Sequence, residues 1–122
     1  MFYLSEKSLA TLKGVDTSLV EVVKLAITLT KVDFKVGEGL RTVQRQRELV
    51  AQGKSKTMKS KHLEGKAVDL WAIVDGKVSW DWKYYEEIAK AMKQAAKQLK
   101  VNLVWGGDWV SFRDGVHFQI GE

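Results

Sequence analysis

Apolar residues recur every three or four positions in two long stretches of the chain, which is the spacing of an amphipathic helix. The first stretch follows a capping-box pattern formed by Ser18 and Glu21 and continues to about Thr30. The second runs from Tyr85 to Leu99 and is the longest helix that the sequence predicts. Shorter helices are predicted on either side of the first. The predicted helices cover approximately residues 5–12, 18–30, 42–50 and 85–99.

Strands are indicated where apolar and polar residues alternate or where β-branched and aromatic residues cluster. Residues 67–74 have the sequence AVDLWAIV and stop at Asp75-Gly76, a pair typical of tight turns, so a strand here should enter a hairpin. Further strands are predicted at approximately residues 34–36, 77–80, 102–105 and 116–120. Helices come first and strands follow, with one long helix among the strands. This order predicts an α+β fold in which a small antiparallel sheet is backed by helices.

Length and composition limit the classes of protein to consider. The chain has 122 residues, of which 45% are hydrophobic, so we expect one domain with a single modest core over residues 1–122. The absence of cysteine excludes disulfides and thiolate metal ligands, and only two histidines are present. No apolar run is long enough for a membrane helix, and the N-terminus lacks a signal-peptide pattern. We therefore expect synthesis in the cytoplasm and no membrane insertion.

The formal net charge is +5, mostly from lysine, and this favours a polyanionic partner. Nucleic acid, an anionic membrane surface and the bacterial wall all qualify, and charge does not choose among them. Residues 54–61 contain four lysines and no acid, which predicts an exposed basic loop. The five tryptophans are expected mostly in the core. Trp109, in the loop GGDWVSFRDG, is a candidate to line a substrate groove.

Potential metal ligands occur first in residues 60–69. His62 lies in a predicted loop, and Asp69 lies on one face of the strand that follows, while Val68 and Leu70 lie on the other. An ionised carboxylate within such an apolar strand is costly to bury unless it is paired or bound to a cation. A metal ion would remove that cost.

The second group of polar residues is in residues 114–120. His117 and Gln119 share one face of the predicted last strand, and Asp114 precedes them beside a glycine turn. Hydrolytic zinc sites typically combine three nitrogen or oxygen ligands with an open position for water. Two histidines and one aspartate meet that requirement, although each residue taken singly is also explained as an ordinary surface or sheet residue.

The two motifs together resemble a known family. S-x-H-x-x-G-x-A-x-D at residues 60–69, followed by D-x-x-H-F at 114–118, resembles the zinc peptidases of the D-alanyl-D-alanine carboxypeptidase and dipeptidase family. The similarity is greatest to the phage endolysin branch, the L-alanyl-D-glutamate endopeptidases. It also includes GLRT at 39–42 and GGDW at 106–109, so it covers roughly residues 37–120. It implies the fold of the hedgehog and D-Ala-D-Ala peptidase domains.

The resemblance also implies roles for individual residues. One zinc ion per chain would be bound by His62, Asp69 and His117. Asp114 would be the catalytic base, a position at which many relatives carry glutamate. The shorter aspartate occurs in the endolysin-like branch and argues against the dipeptidase branch.

Substrate contacts are implied at further positions. Arg41 matches an arginine that faces the substrate and stabilises developing negative charge, and its planar fork also suits a substrate carboxylate. An ordinary salt bridge beside a helix start is the alternative for Arg41. Ser60 matches a position beside the metal that can hydrogen-bond the substrate.

These observations predict a zinc-dependent peptidase that cleaves an amide bond in the peptide of bacterial peptidoglycan. The expected activity is that of an L-alanyl-D-glutamate endopeptidase acting as a phage or prophage endolysin. We expect a monomer that does not bind nucleic acid and that acts on the wall after release from the cytoplasm. The alternatives are a D-Ala-D-Ala carboxypeptidase or dipeptidase, a non-catalytic cationic module that binds wall polymer or nucleic acid, and a wall-lytic glycosidase with two carboxylates.

Overall fold

The computed structural model describes residues 1–55 and 60–121. Within these ranges the α-helices are α1 (Glu6–Thr11), α2 (Thr17–Leu29), α3 (Val43–Ala51) and α4 (Trp82–Leu99). The strands are β1 (Asp33–Glu38), β2 (Ala67–Val74), β3 (Lys77–Ser79), β4 (Leu103–Trp105) and β5 (His117–Ile120). Two short 3₁₀ helices are present at Lys61–Glu64 and Gly106–Asp108.

The five strands form one antiparallel sheet in which β2 has the most neighbours. β1 pairs with β2 along one edge. β5 pairs with the N-terminal part of β2, and β3 pairs with its C-terminal part. β4 completes the sheet beyond β5. The α+β fold predicted from the order of the elements is therefore confirmed.

The core lies between the sheet and the helices α2 and α4. Val68, Leu70 and Ala72 are fully buried on one face of β2, whereas Asp69 and Trp71 lie on the other face. The alternation predicted for this strand is thus confirmed. Because the apolar residues face the helices, the opposite face of the sheet, which carries Asp69, is available for a polar site.

The beginning of α2 differs from the sequence expectation. Asp16, not Ser18, is its N-cap, because the Asp16 carboxylate accepts hydrogen bonds from the Ser18 backbone amide at 2.9 Å and the Ser18 hydroxyl at 2.6 Å. Aspartate and serine are both good caps, so the sequence allowed two helix starts that lie two residues apart.

The tryptophans also differ in part from the expectation. All five tryptophans are among the described residues, and one of them, Trp105, is buried. Trp80 is 64% exposed and the other three are half-buried, so the prediction of a mostly buried set was wrong. In the predicted basic loop, Lys54 is exposed, and residues 56–59 lie outside the described part of the chain. No helix among the described residues is both long and apolar enough to cross a membrane.

Gly65 ends the first 3₁₀ helix and connects it to β2. Its φ of +69° lies in the left-handed region, which suits glycine. A methyl group at this position would lie 2.5 Å from the Gly14 carbonyl oxygen, and the Gly65 carbonyl itself accepts a hydrogen bond from the Asp16 amide at 2.8 Å. The segment that carries His62 is therefore held against the turn before α2.

We predict that Gly65→Ala will lower the free energy of unfolding by about 2–4 kcal/mol, because backbone strain and overlap with Gly14 both contribute. Gly76→Ala is the matched control. Gly76 has a similar φ of +78° but no neighbouring atom within 4 Å of the added methyl group, so its loss should be about 1 kcal/mol. Urea unfolding of both variants measures the difference, and equal losses would contradict the role given to the Gly14 contact.

Candidate metal centre

Three side chains from separate elements meet on the polar face of the sheet. His62 comes from the first 3₁₀ helix, Asp69 from β2 and His117 from β5, where it is the direct cross-strand partner of Asp69. Asp69 Oδ1 lies 3.1 Å from His62 Nε2 and 3.5 Å from His117 Nδ1. One potential ligand atom from each residue lies within 4.8 Å of the other two. This spacing is compatible with one shared metal ion.

The remaining nitrogen of each imidazole ring is already hydrogen-bonded. His62 Nδ1 donates to the Gly39 carbonyl oxygen at 2.9 Å, because that oxygen can only accept. His117 Nε2 donates to Gln119 Oε1 at 2.8 Å. In the neutral tautomers set by these bonds, a lone pair of each ring faces the same carboxylate oxygen. Such an arrangement needs a proton or a cation among the three groups. A hydrogen bond from the other ring nitrogen is typical of histidines that bind a metal.

The electrostatics of the cluster are consistent with an ionised carboxylate between two rings. Burial alone would raise the pKa of Asp69, but hydrogen bonds and positive charge from His117 and His62 outweigh it and hold the pKa well below its usual range. Burial would lower the pKa of His117, yet Asp69 outweighs this and raises it. The negative charge of Asp69 is therefore the feature that draws cations to this position.

Asp114 lies in the turn before β5 and lines the same cleft. Its backbone amide donates to the Gly106 carbonyl at 3.0 Å, and its carbonyl accepts from the His117 amide at 3.2 Å. Burial, and then the negative charge of Asp69, raise the pKa of the Asp114 carboxyl group. The structure thus places Asp114 beside the three candidate ligands, in a different electrostatic environment from Asp69.

The side chain of Arg41 is 8% exposed and contacts several polar side chains. Its Nε donates to Glu38 Oε1 at 2.6 Å, and one terminal nitrogen donates to Gln46 Oε1 at 2.6 Å and to Ser60 Oγ at 3.5 Å. The other terminal nitrogen lies 3.9 Å from Asp69 Oδ2. These contacts orient the guanidinium toward the cluster and show that Arg41 has more than an ordinary surface salt bridge.

Ser60 has a structural role as well as a place in the cleft. Its hydroxyl accepts a hydrogen bond from the His62 amide at 3.2 Å and so caps the 3₁₀ helix that carries this histidine. Trp109 packs against the His117 ring, with a centroid distance of 5.1 Å. All the residues singled out from the sequence as candidates line one open cleft of about 660 Å³.

Sequence reasoning gave no role to three side chains that support this centre. Glu38 and Gln46 orient Arg41, and Gln119 orients His117. Gln119 was detectable, because it shares a strand face with His117. The partnership of Gln46 with Arg41 depends on how α3 packs, which no local pattern shows.

Comparison with known families decides which kind of protein carries this cluster. The profile of the phage L-alanyl-D-glutamate peptidases matches residues 1–118. The chain belongs to the phage L-alanyl-D-glutamate peptidase family. It is therefore a peptidase, and the expectation drawn from the two motifs is confirmed.

Individual relatives agree with this assignment. The L-alanyl-D-glutamate peptidase of Escherichia phage T5 is 38% identical over 109 residues, which are 86% of this chain and 77% of the relative. The crystal structure of the L-Ala D-Glu endopeptidase ChiX from Serratia marcescens is 46% identical and has a TM-score of 0.91, covering 95% of this chain and 87% of that one.

A more distant structure shows how far the fold extends. The vancomycin resistance D,D-pentapeptidase VanY, solved in complex with Zn(II), has a TM-score of 0.59 at 20% identity, covering 87% of this chain and 72% of VanY. At this identity the likeness shows a shared fold alone. This chain and that D,D-pentapeptidase thus share one fold.

We predict that Gln119→Leu in this peptidase will weaken the binding of a divalent metal ion at the candidate site by about 10- to 100-fold, because the His117 ring loses the acceptor that sets its tautomer. Gln94→Leu, on the exposed face of α4, is the matched control and should leave metal affinity unchanged. Competition with a chromophoric chelator measures both affinities. Equal affinities would show that Gln119 does not orient a ligand.

Proposed function

We propose that this peptidase is a zinc enzyme that hydrolyses the bond between L-alanine and D-glutamate in the stem peptide of bacterial peptidoglycan. The observation that carries the proposal is the convergence of His62 Nε2, His117 Nδ1 and the Asp69 carboxylate, with the opposite ring nitrogens already committed as donors. The L-alanyl-D-glutamate bond named for the family and for its phage T5 relative supports the choice of bond.

Zinc suits this donor set better than calcium or magnesium does. Two imidazoles and one carboxylate are the nitrogen and oxygen ligands of many catalytic zinc sites, whereas calcium and magnesium prefer oxygen alone. We infer one zinc per chain, bound by His62, Asp69 and His117. When bound, zinc supplies Lewis acidity, which polarises a carbonyl group and makes water nucleophilic near neutral pH.

Asp114 is proposed as the general base. Its carboxylate lines the cleft beside the metal ligands, and its raised pKa brings it closer to the pH at which it must exchange protons. It would accept a proton from the attacking water on one carboxylate oxygen and deliver that proton to the departing amine nitrogen of D-glutamate. The protons are thereby balanced within one turnover.

Arg41 is proposed to stabilise negative charge on the substrate. Its Nε and one terminal nitrogen are committed to Glu38 and Gln46, so the guanidinium is fixed before the substrate arrives. The nitrogen that faces Asp69 is the one placed to donate to a developing oxyanion or to a carboxylate of the substrate.

Ser60 and Trp109 are proposed as substrate contacts beside the centre. The Ser60 hydroxyl lines the cleft while it caps the 3₁₀ helix, and the Trp109 ring forms a wall against His117. Because both side chains contact residues of the cluster and Asp114 lines the same cleft, a peptide bound there would lie beside all three.

The family and the activity together suggest where the protein works. We propose that it serves as a phage or prophage endolysin, made in the host cytoplasm and active as a monomer on the wall after release. Its formal charge of +5 favours retention on an anionic wall polymer.

Digestion of purified peptidoglycan, followed by mass spectrometry of the fragments, tests this function. We expect zinc-dependent release of fragments with new C-terminal L-alanine and new N-terminal D-glutamate, loss of activity with a chelator and recovery with added zinc. Release of terminal D-alanine would instead indicate a carboxypeptidase, and new reducing ends a glycosidase. Full activity in metal-free protein would overturn the zinc assignment.

We predict different consequences for the two aspartates of the centre. Asp69→Ala should lower both zinc content and turnover, because a ligand is lost. Asp114→Ala should keep zinc near one per chain but lower turnover by roughly 10²- to 10⁴-fold, the usual contribution of positioned acid-base catalysis. Asp114→Glu should retain part of the rate, because a carboxylate remains.

The measurement is zinc per chain together with turnover for each variant. Asp108→Ala is the control, because Asp108 is exposed, pairs with Lys93 at 2.7 Å and is not among the residues that line the cleft. Loss of zinc in Asp114→Ala would show that the ligand and the base have been interchanged. Near-normal turnover in that variant would remove Asp114 as the base.

A further inference from the structure

A row of three side chains lies on the same face of the sheet as the metal centre. Lys35 on β1 is the cross-strand partner of Trp71 on β2, and Trp80 follows directly after β3. The Trp71 and Trp80 rings meet edge to face with centroids 5.7 Å apart, and Lys35 Nζ lies 5.3 Å from the Trp71 ring centroid. We call Lys35, Trp71 and Trp80 the aromatic row.

Hairpin stability alone does not account for the exposure of this row. Cross-strand aromatic pairs stabilise a sheet, which explains why the rings of Trp71 and Trp80 touch. The turn at Asp75-Gly76 already favours the hairpin, however, and Trp80 remains 64% exposed. A single exposed apolar residue is normal on a protein surface, but here two indole rings and a lysine adjoin one another, and such clustering is typical of a surface that binds a partner.

A small cleft of about 160 Å³ adjoins the aromatic row. It is lined by Trp71 and Lys35 and, from α1, by the hydroxyl-bearing Ser5 and Thr11. Gly37 also lines it, and a side chain there would overlap the Trp71 ring. The next residue along β1, Glu38, lines the catalytic cleft. Consecutive residues of β1 therefore line the two clefts, so the clefts are neighbours along this strand.

The distance from the metal centre to the aromatic row matches the chemistry of the substrate. Trp71 follows Asp69 by two positions on the same strand face, which corresponds to about 7 Å. In peptidoglycan, L-alanine is joined directly to the lactyl group of N-acetylmuramic acid, so one amino acid separates the cleaved bond from the sugar substituent. An extended residue spans about 3.6 Å. A sugar attached to a bound stem peptide is thus within reach of the aromatic row.

We propose that the aromatic row and its cleft form a subsite for the amino sugar that carries the stem peptide. The apolar face of the sugar ring packs on the indoles, while Lys35 and Ser5 donate hydrogen bonds to its hydroxyl and acetamido oxygens. The Thr11 hydroxyl donates to the Lys7 carbonyl at 2.9 Å, so it accepts a hydrogen bond from a sugar hydroxyl. This inference rests on the proposed function, because it assumes that the stem peptide occupies the catalytic cleft.

Binding is tested with the full chain and N-acetylglucosaminyl-N-acetylmuramoyl-L-alanine, the sugar-side product of the proposed cleavage. We expect this probe to shift the indole N–H signals of Trp71 and Trp80 in nuclear magnetic resonance spectra, whereas N-acetyl-L-alanine should not. Shifts caused by anionic phospholipid vesicles but not by the sugar probe would overturn the proposal in favour of a lipid surface.

Kinetics provide the second readout. For Trp80→Ala, the KM of a muramoyl-linked stem peptide relative to that of the sugar-free peptide should rise by roughly 3- to 10-fold, the loss expected for one aromatic contact. Trp80→Phe should restore part of the difference. Leu99→Ala, which also removes an exposed apolar side chain, should leave the ratio unchanged.

The outcomes separate this inference from the proposed function. Cleavage of both substrates with an unaltered KM ratio in Trp80→Ala would overturn the sugar subsite and leave the endopeptidase assignment in place. Probe binding at the tryptophans without cleavage of either substrate would support the sugar contact and overturn the proposed bond specificity.

Discussion

The structure depends on one electrostatic constraint, the placement of the ionised Asp69 carboxylate between two imidazole rings on a largely buried sheet face. Removing such a charge from water is costly unless positive charge or hydrogen-bond donors replace the solvent. His62 and His117 lie at 3.1 and 3.5 Å from the same oxygen, with their other nitrogens engaged elsewhere. A divalent cation among the three groups is the arrangement that best satisfies them, and the chemistry proposed for Asp114 and Arg41 presupposes it.

The fold supplies this constraint through backbone positions far apart in sequence. Antiparallel pairing of β2 with β5 sets Asp69 opposite His117, and the 3₁₀ helix ending at Gly65 brings His62 to them. The apolar face of β2 packs on α2 and α4, so a shift of register would break the core as well as the centre. Stability and catalysis therefore depend on the same strand.

Local sequence predicted the parts that obey simple periodicity. The two-residue repeat of β2 was enough to separate Asp69 from Val68 and Leu70, and motif spacing was enough to associate His62 and His117 with it. Local sequence did not predict the Glu38 and Gln46 contacts of Arg41, because these join β1, α3 and a loop across the cleft. The exposure of Trp80 was missed for a related reason: composition places tryptophan inside, and only tertiary packing shows which one remains outside.

The most direct test of the account is the identity of the atoms that bind the metal. A crystal structure of the zinc-loaded protein, with anomalous diffraction at the zinc edge, identifies them. The account predicts one zinc per chain, bound through His62 Nε2, His117 Nδ1 and the Asp69 carboxylate, with Asp114 near but not bound. Zinc bound through Asp114 instead of Asp69, or located away from the two histidines, would contradict it.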